Sequence, residues 1–310
     1  MYLVGVDIGG TSIKFGVMDE DGTLYDKWSI PTDKTDDGAY VLPEVAASIL
    51  EKLTEKKISP KEVKGIGVGV PGPVDHVGLV QRCVNIGWGV MDVSKQLEGL
   101  TGIPVKTGND ANVAALGEAW KGSGQGFQNL VMVTIGTGVG AGVIFHGKIF
   151  SGTHGIAGEL GHITVNPKET IACNCGRYGC LEQYASATGL CHTAHRFLAE
   201  GMDSPWLLEK SSFTGKDIVD GAKEGDALCL TVLEDMGKWL GLGLSHISCI
   251  LDPDAYVIGG GISEGGDIVL KSIEKHYRFF AFQQTKKTPL FLARLGNDAG
   301  IFGAAGLWLS

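Results

Sequence analysis

The hydrophobic positions of this chain follow two periods, and their order predicts strands alternating with helices. Residues 6–17, VDIGGTSIKFGV, and residues 133–143, VTIGTGVGAGV, share one form: an apolar strand enters a glycine turn and a second apolar strand leaves it. Each predicts a β-hairpin whose tip exposes backbone N–H groups, and the recurrence predicts a duplicated unit. A third glycine turn, VIGGGIS at 257–263, follows the strand-like AYVIG and the turn dipeptide Asp252-Pro253. Helical spacing covers about 43–56, 110–120, 185–200, 226–250 and 266–281, and DAGIFGAAGLWL ends the sequence as a small-residue helix able to pack closely on another element. The alternation predicts an α/β class. No long polar linker interrupts it. A boundary near KGSGQGFQN, 121–129, gives a smaller N-terminal unit over 1–120, with 298–310 packing back on it, and a larger unit over 121–297.

Composition narrows the partners. A chain of 310 residues exceeds what one hydrophobic core usually spans. The net charge is −9 and no block of lysine or arginine occurs, which disfavours nucleic acid or an anionic membrane surface and favours small molecules as partners. The longest apolar run, WLGLGLSHISCIL, is too short to span a bilayer. The opening MYLVGVDIGG carries a carboxylate and glycines too early for a signal peptide, so a cytoplasmic location is expected.

Several stretches are candidates for chemistry. Gly67, Gly69 and Gly72 match a dinucleotide fingerprint in spacing, but Pro71 and Pro73 oppose a helix there, so a strand ending in a turn is expected. No P-loop motif occurs, which leaves any phosphate to the hairpin tips, where glycine lets the backbone approach a ligand. Cys173, Cys175 and Cys180 form C-x-C-x4-C, with Gly176 and Gly179 allowing the chain to turn back and His162 eleven residues upstream. Three thiolates and one imidazole make a closed tetrahedral set, the pattern of a structural zinc site. Cys83, Cys191, Cys229 and Cys249 stand singly and are expected in the core. Asn109 and Asp110 stand where the strand PVKT gives way to a helix. That is an N-cap position, and it favours an ionised carboxylate.

Taken together, DIGGTSIK, GTGVG, GELGH and CNCGRYGCLE, in this order over nearly the whole chain, resemble the ROK family of sugar kinases and repressors. The run CNCGRYGCLEQYASATG is most similar to the family's bacterial ATP-dependent glucokinases. The resemblance implies an actin-like fold of the hexokinase and Hsp70 type, duplicated, with two α/β lobes around a central cleft. It also implies a homodimer or higher oligomer and phosphorylation of the 6-hydroxyl of glucose by ATP. By resemblance, Asp7, Gly9, Gly10, Thr11 and Lys14 make the first phosphate motif, with Asp7 toward Mg2+. Thr137 and Gly138 make the second, and Gly259, Gly260 and Gly261 the adenosine-side turn. Asp110 is the catalytic base. Asn109, Asp110, Glu159, His162, Glu182 and the main chain at Gly72 meet the sugar, while zinc is held by His162, Cys173, Cys175 and Cys180. In this reading the metal takes one nitrogen of His162, leaves the other for a sugar hydroxyl, and fixes Glu182. Two alternatives stay open: a kinase for fructose, mannose or an N-acetylhexosamine, and a sugar-responsive regulator. Because the first phosphate motif begins at Asp7, no N-terminal helix-turn-helix is expected, which favours the kinase over the regulator.

Overall fold

The computed structural model describes residues 1–75, 78–83 and 85–309. They form two five-stranded sheets with the same topology. In the first, β1 (Tyr2–Ile8), β2 (Ser12–Asp19), β3 (Leu24–Pro31), β4 (Val63–Val70) and β5 (Val105–Asn109) run in the order β3-β2-β1-β4-β5. In the second, β6 (Leu130–Ile135), β7 (Val139–Phe145), β8 (Lys148–Ile149), β9 (Ala255–Gly259) and β10 (Leu290–Leu292) run β8-β7-β6-β9-β10. The parallel pairs β1/β4 and β4/β5 in one sheet are matched by β6/β9 and β9/β10 in the other. The two glycine turns, between β1 and β2 and between β6 and β7, occupy equivalent places. The duplication read from two short segments therefore extends to whole sheets.

The chain separates into two compact units. One contains Met1–Gln128, Gly142–Gly158 and the chain from Arg294 onward; the other contains Asn129–Ala141 and Glu159–Ala293. The sequence suggested a boundary near 121–129 with 298–310 packing back; the chain changes after Gln128 and comes back at Arg294, and it makes one further return, Gly142–Gly158, that the sequence did not suggest. The return has a local cause: a Cβ on Gly142 would lie 2.5 Å from the Ala111 carbonyl and 2.9 Å from Cα of Asn112, so this strand lies directly on the start of the helix that begins at Asp110.

In the first unit, α1 (Val41–Glu55) buries Val41, Leu42, Val45, Ala46, Ile49 and Leu53 at helical spacing against the sheet residues Val4, Val6, Phe15 and Val68. α2 (Val93–Thr101) was not anticipated; only Val93, Leu97 and Thr101 are buried, a stripe too thin to stand out. α3 (Asp110–Lys121) and α10 (Ala299–Gly306) pack together. They meet backbone to backbone, because added Cβ atoms would lie 1.6 Å from the Val113 carbonyl at Gly303 and 2.2 Å from the Ala299 carbonyl at Gly117. On its other side α10 lies on the sheet, where Cβ atoms at Gly5 and Gly67 would come within 1.9 and 1.7 Å of the Ile301 and Ala304 carbonyls. The fully buried Glu118 secures the same region. Its carboxylate accepts from the N–H groups of Arg294 (3.0 Å), Leu295 (2.7 Å) and Ser123 (2.8 Å).

The second unit adds α4 (Glu182–Ala185), α5 (Ala187–Ala199), α6 (Pro205–Leu208), α7 (Gly215–Lys223), α8 (Ala227–Leu251) and α9 (Asp267–Phe280). Side-chain caps at Ser186, Ser204, Thr214 and Asp226 start four of them. α8 and α9 approach closely at Gly237 and Gly241, and Ser248 on α8 hydrogen-bonds the hydroxyls of Tyr256 and Tyr277, both at 2.8 Å. Cys83 and Cys229 are buried as expected, whereas Cys191 is only partly buried and Cys249 is exposed, on the outward side of the last turn of α8.

These contacts give opposite expectations for two glycine-to-alanine changes. Gly303→Ala must drive a methyl into the Val113 carbonyl and lowers unfolding free energy by on the order of 3 kcal/mol. Gly99→Ala, in α2 with nothing within 4 Å, raises it by roughly 0.5–1 kcal/mol. Urea unfolding of both variants checks this; equal effects would contradict the close approach of α10.

Candidate active site

The predicted site residues fall in two groups, one in each unit. In the first, the β1–β2 turn is closed by the Gly9 N–H donating to the Ser12 carbonyl (3.0 Å). Thr32 holds the turn from β3's end, donating its hydroxyl to the Gly9 carbonyl (2.7 Å) and its N–H to the Thr11 carbonyl (3.0 Å). Asp7 and Lys14 stand opposite each other in the hairpin register. Lys14 donates to the Asn297 carbonyl at 3.4 Å. Burial raises the Asp7 pKa, and the Lys14 charge offsets part of that rise. Gly300, at the start of α10, sits where a Cβ would be 2.5 Å from Cγ of Asp7.

Asn109 is the N-cap of α3 and Asp110 its first residue. The Asn109 side chain accepts from the Asn112 N–H (3.2 Å) and donates to the Gly72 carbonyl (3.0 Å) and to Oδ1 of Asp110 (3.0 Å). Both its N–H bonds are used within the protein, leaving only acceptor capacity for a ligand. Gly72 adopts φ +118°, and its carbonyl is thereby turned to Asn109. Oδ1 of Asp110 also accepts from the Ala111 N–H at 2.8 Å. These bonds and the helix N-terminus favour the ionised form, as the sequence suggested. Burial, reinforced by the Asp7 charge, outweighs them and pushes Asp110 up to about 6.

In the second unit, the turn between β6 and β7 is closed by the Gly136 N–H donating to the Gly138 carbonyl (3.0 Å). Thr137 is exposed at its tip. Gly260, with φ +85°, packs against the end of β6, where a Cβ would lie 2.5 Å from N of Ile135. Gly259 closes β9, and Gly261 faces open space. The structure thus brings the turns at 136–138 and 259–261 together. Glu182 is also here: its Oε2 accepts from the Val139 N–H at 3.0 Å, and Gly138 leaves the room it occupies.

His162, Cys173, Cys175 and Cys180 converge, their donor atoms all within 4.8 Å of one another. The Cys175 and Cys180 sulfurs are 3.6 Å apart, and Cys173 Sγ is 4.0 Å from Nδ1 of His162. Around a tetrahedral zinc with metal–sulfur bonds of about 2.3 Å the ligand–ligand edge is about 3.8 Å, so the donor set fits that ion. Nδ1 faces the sulfurs, which leaves Nε2 outward, 4.0 Å from Oε2 of the exposed Glu159. Among the described residues this is the one such cluster.

Two contributors carried no sequence signal. Gln183 donates to the Ile171 carbonyl (2.9 Å) and accepts from the Cys180 N–H (3.0 Å), closing the cysteine loop across its ends. Arg177, which the motif leaves unassigned, donates to the His162 carbonyl and to Thr164, both at 3.3 Å. Glutamine and arginine in loops are ordinary surface residues, and only the folded geometry distinguishes these.

Two sheets of one topology, each with a glycine hairpin at an equivalent place, make this an actin-like ATPase fold. The ROK family model matches residues 3–310, and the chain belongs to that family. It is 41% identical to a glucokinase of Halalkalibacterium halodurans, over 99% of this chain and 94% of that one. Among solved structures, a ROK family glucokinase from Streptomyces griseus, in complex with glucose and AMPPNP, is 34% identical with a TM-score of 0.80 over 99% of both chains. A ROK hexokinase from Thermus thermophilus is 33% identical with a TM-score of 0.83, covering 98% of this chain and 97% of that one.

The raised pKa of Asp110 makes its ionised form oppose folding. The folded carboxyl holds its proton up to about pH 6, against 3.8 for an ordinary aspartate, so stability falls as pH rises through that window. Asp110→Asn removes this cost and raises unfolding free energy at pH 7.5 by up to about 3 kcal/mol, a gain that vanishes toward pH 4. Denaturant unfolding at both pH values tests it; a gain independent of pH would contradict the assignment.

Proposed function

We propose that the protein is an ATP-dependent glucokinase, transferring the γ-phosphoryl group of ATP to the 6-hydroxyl of glucose to give glucose 6-phosphate and ADP. The observation that carries this reading is Asp110, a half-buried carboxyl with a pKa of about 6, locked by Asn109 at the start of α3. Full-length similarity to glucokinases supports the choice of substrates.

Asp110 orients the 6-hydroxyl and accepts its proton. Phosphoryl transfer is largely dissociative, so the nucleophile needs positioning before it needs deprotonation. A pKa of about 6 keeps the group mostly ionised at pH 7.5 while making it a stronger base than an ordinary aspartate. Asn109 and the Gly72 main chain position Asp110 and meet the sugar with their remaining lone pairs. Glu159, Nε2 of His162 and Glu182 take the other hydroxyls. The N–H groups of Thr137 and Gly138 take phosphate, Gly259, Gly260 and Gly261 the adenosine side, and Gly9, Gly10, Thr11 and Lys14 the transferred group. Asp7, a carboxyl beside the turn, would hold magnesium, which when bound neutralises charge on the phosphoryl oxygens. His162, Cys173, Cys175 and Cys180 would hold a structural zinc with no open position, which orders the loop and takes no part in the chemistry. A homo-oligomer, at least a dimer, acting in the cytoplasm at the entry of glucose into glycolysis completes the proposal. Among the described residues no helix is long and apolar enough to cross a membrane.

The test is a panel of glucose, mannose, fructose and N-acetylhexosamines with ATP, following ADP and identifying the phosphorylated sugar. Glucose is expected to give the highest kcat/KM, falling about tenfold per pH unit below pH 6, and Asp110→Asn to lose roughly 10²–10⁴ of the rate. A higher kcat/KM for another hexose, or near-normal turnover by the variant, would overturn the assignment.

A further inference from the structure

The turn from Gly136 to Val139 is bound to the segment that leaves the cysteine loop. Three hydrogen bonds join them: Val139 N–H to Oε2 of Glu182 (3.0 Å), Ala187 N–H to the Gly136 carbonyl (2.8 Å), and the Thr188 hydroxyl to the Thr137 carbonyl (3.0 Å). A trans peptide points its C=O and N–H in opposite directions, and the described residues contain no cis peptide. Fixing the carbonyls of Gly136 and Thr137 toward α5 therefore aims the N–H groups of Thr137 and Gly138 away from it. Two successive N–H groups presented this way form an anion-binding concavity. The clamp follows directly on the metal-ligating set: Cys180 is a ligand, the fully buried Leu181 alone lies between it and Glu182, Gln183 follows, and Ala187 and Thr188, the latter eight positions after Cys180, begin α5. Gln183 closes the loop behind them, and Gly161, beside His162, packs against the Val139 carbonyl, 2.2 Å from an added Cβ.

We propose that the cysteine loop supports phosphate recognition as well as sugar recognition, with Glu182 as the link and Thr188 as a positioning residue for the diphosphate of the nucleotide. The sequence reading gave the metal to the sugar side alone; the clamp adds the phosphate side. Glu182 holds the turn through Oε2 and, in the kinase reading, also meets the sugar, so ordering the loop orders both. The inference rests on the kinase reading.

The test is ADP binding by calorimetry without glucose, so that neither turnover nor sugar contacts enter. The native protein, with metal content measured, is compared with chelator-treated protein shown to be folded by circular dichroism, and with Thr188→Val and Thr188→Ser. Metal removal is expected to weaken ADP at least about fivefold. Thr188→Val, lacking one hydrogen bond, should weaken ADP roughly threefold to tenfold and leave glucose affinity within about twofold, and Thr188→Ser should restore it. Unchanged ADP affinity in the folded metal-free protein, or in Thr188→Val, would overturn this inference while leaving the kinase reading intact. No nucleotide binding by the native protein would overturn both.

Discussion

Asp110 is held where burial disfavours its charge and the nearby Asp7 disfavours it further, and its pKa of about 6 is the balance of those effects against the Ala111 N–H and the Asn109 amide. That balance requires β1, α3 and α10 to approach more closely than side chains normally allow. Gly117 and Gly303 let α3 and α10 meet through their backbones, Gly5 and Gly67 let α10 lie on the sheet, and Gly300 lets its first turn reach Asp7. The small-residue helix at the end of the sequence is thus part of what keeps water from the carboxyl pair.

The second unit meets a different problem, that of holding backbone groups still. A glycine turn is flexible by composition, and here its carbonyls are taken by Ala187 and Thr188 while Glu182 takes the following N–H. Those residues follow directly on a loop with four converging metal donors and a Gln183 bridge. Rigidity passes from the cysteine loop to the turn through short covalent distance and hydrogen bonds, without a long-range pathway.

Much of this was legible in the sequence because strong local rules governed it. The two hairpins, the strand-to-turn passage at Val70–Gly72 and the helices with a full apolar stripe followed from periodicity, and the cysteine spacing with His162 marked the donor set. Short elements such as α2 and α6 escaped, since four to nine residues carry too little pattern. The raised pKa of Asp110 also escaped: an N-cap neighbourhood argues for an ionised carboxylate, and only the fold reveals the competing burial and the approach of Asp7. Glu118, Gln183 and Thr188 are invisible for a related reason. Their partners are main-chain groups distant in sequence or unremarkable in type, so nothing in their spacing distinguishes them from surface residues.

The central claim, that the fold itself tunes Asp110 through burial and Asp7, is tested most directly by observing its carboxyl carbon by NMR across pH in the native protein and in Asp7→Asn. The account predicts a transition near pH 6 in the native protein that moves downward when the Asp7 charge is removed. A transition near 3.8 in both proteins would contradict it.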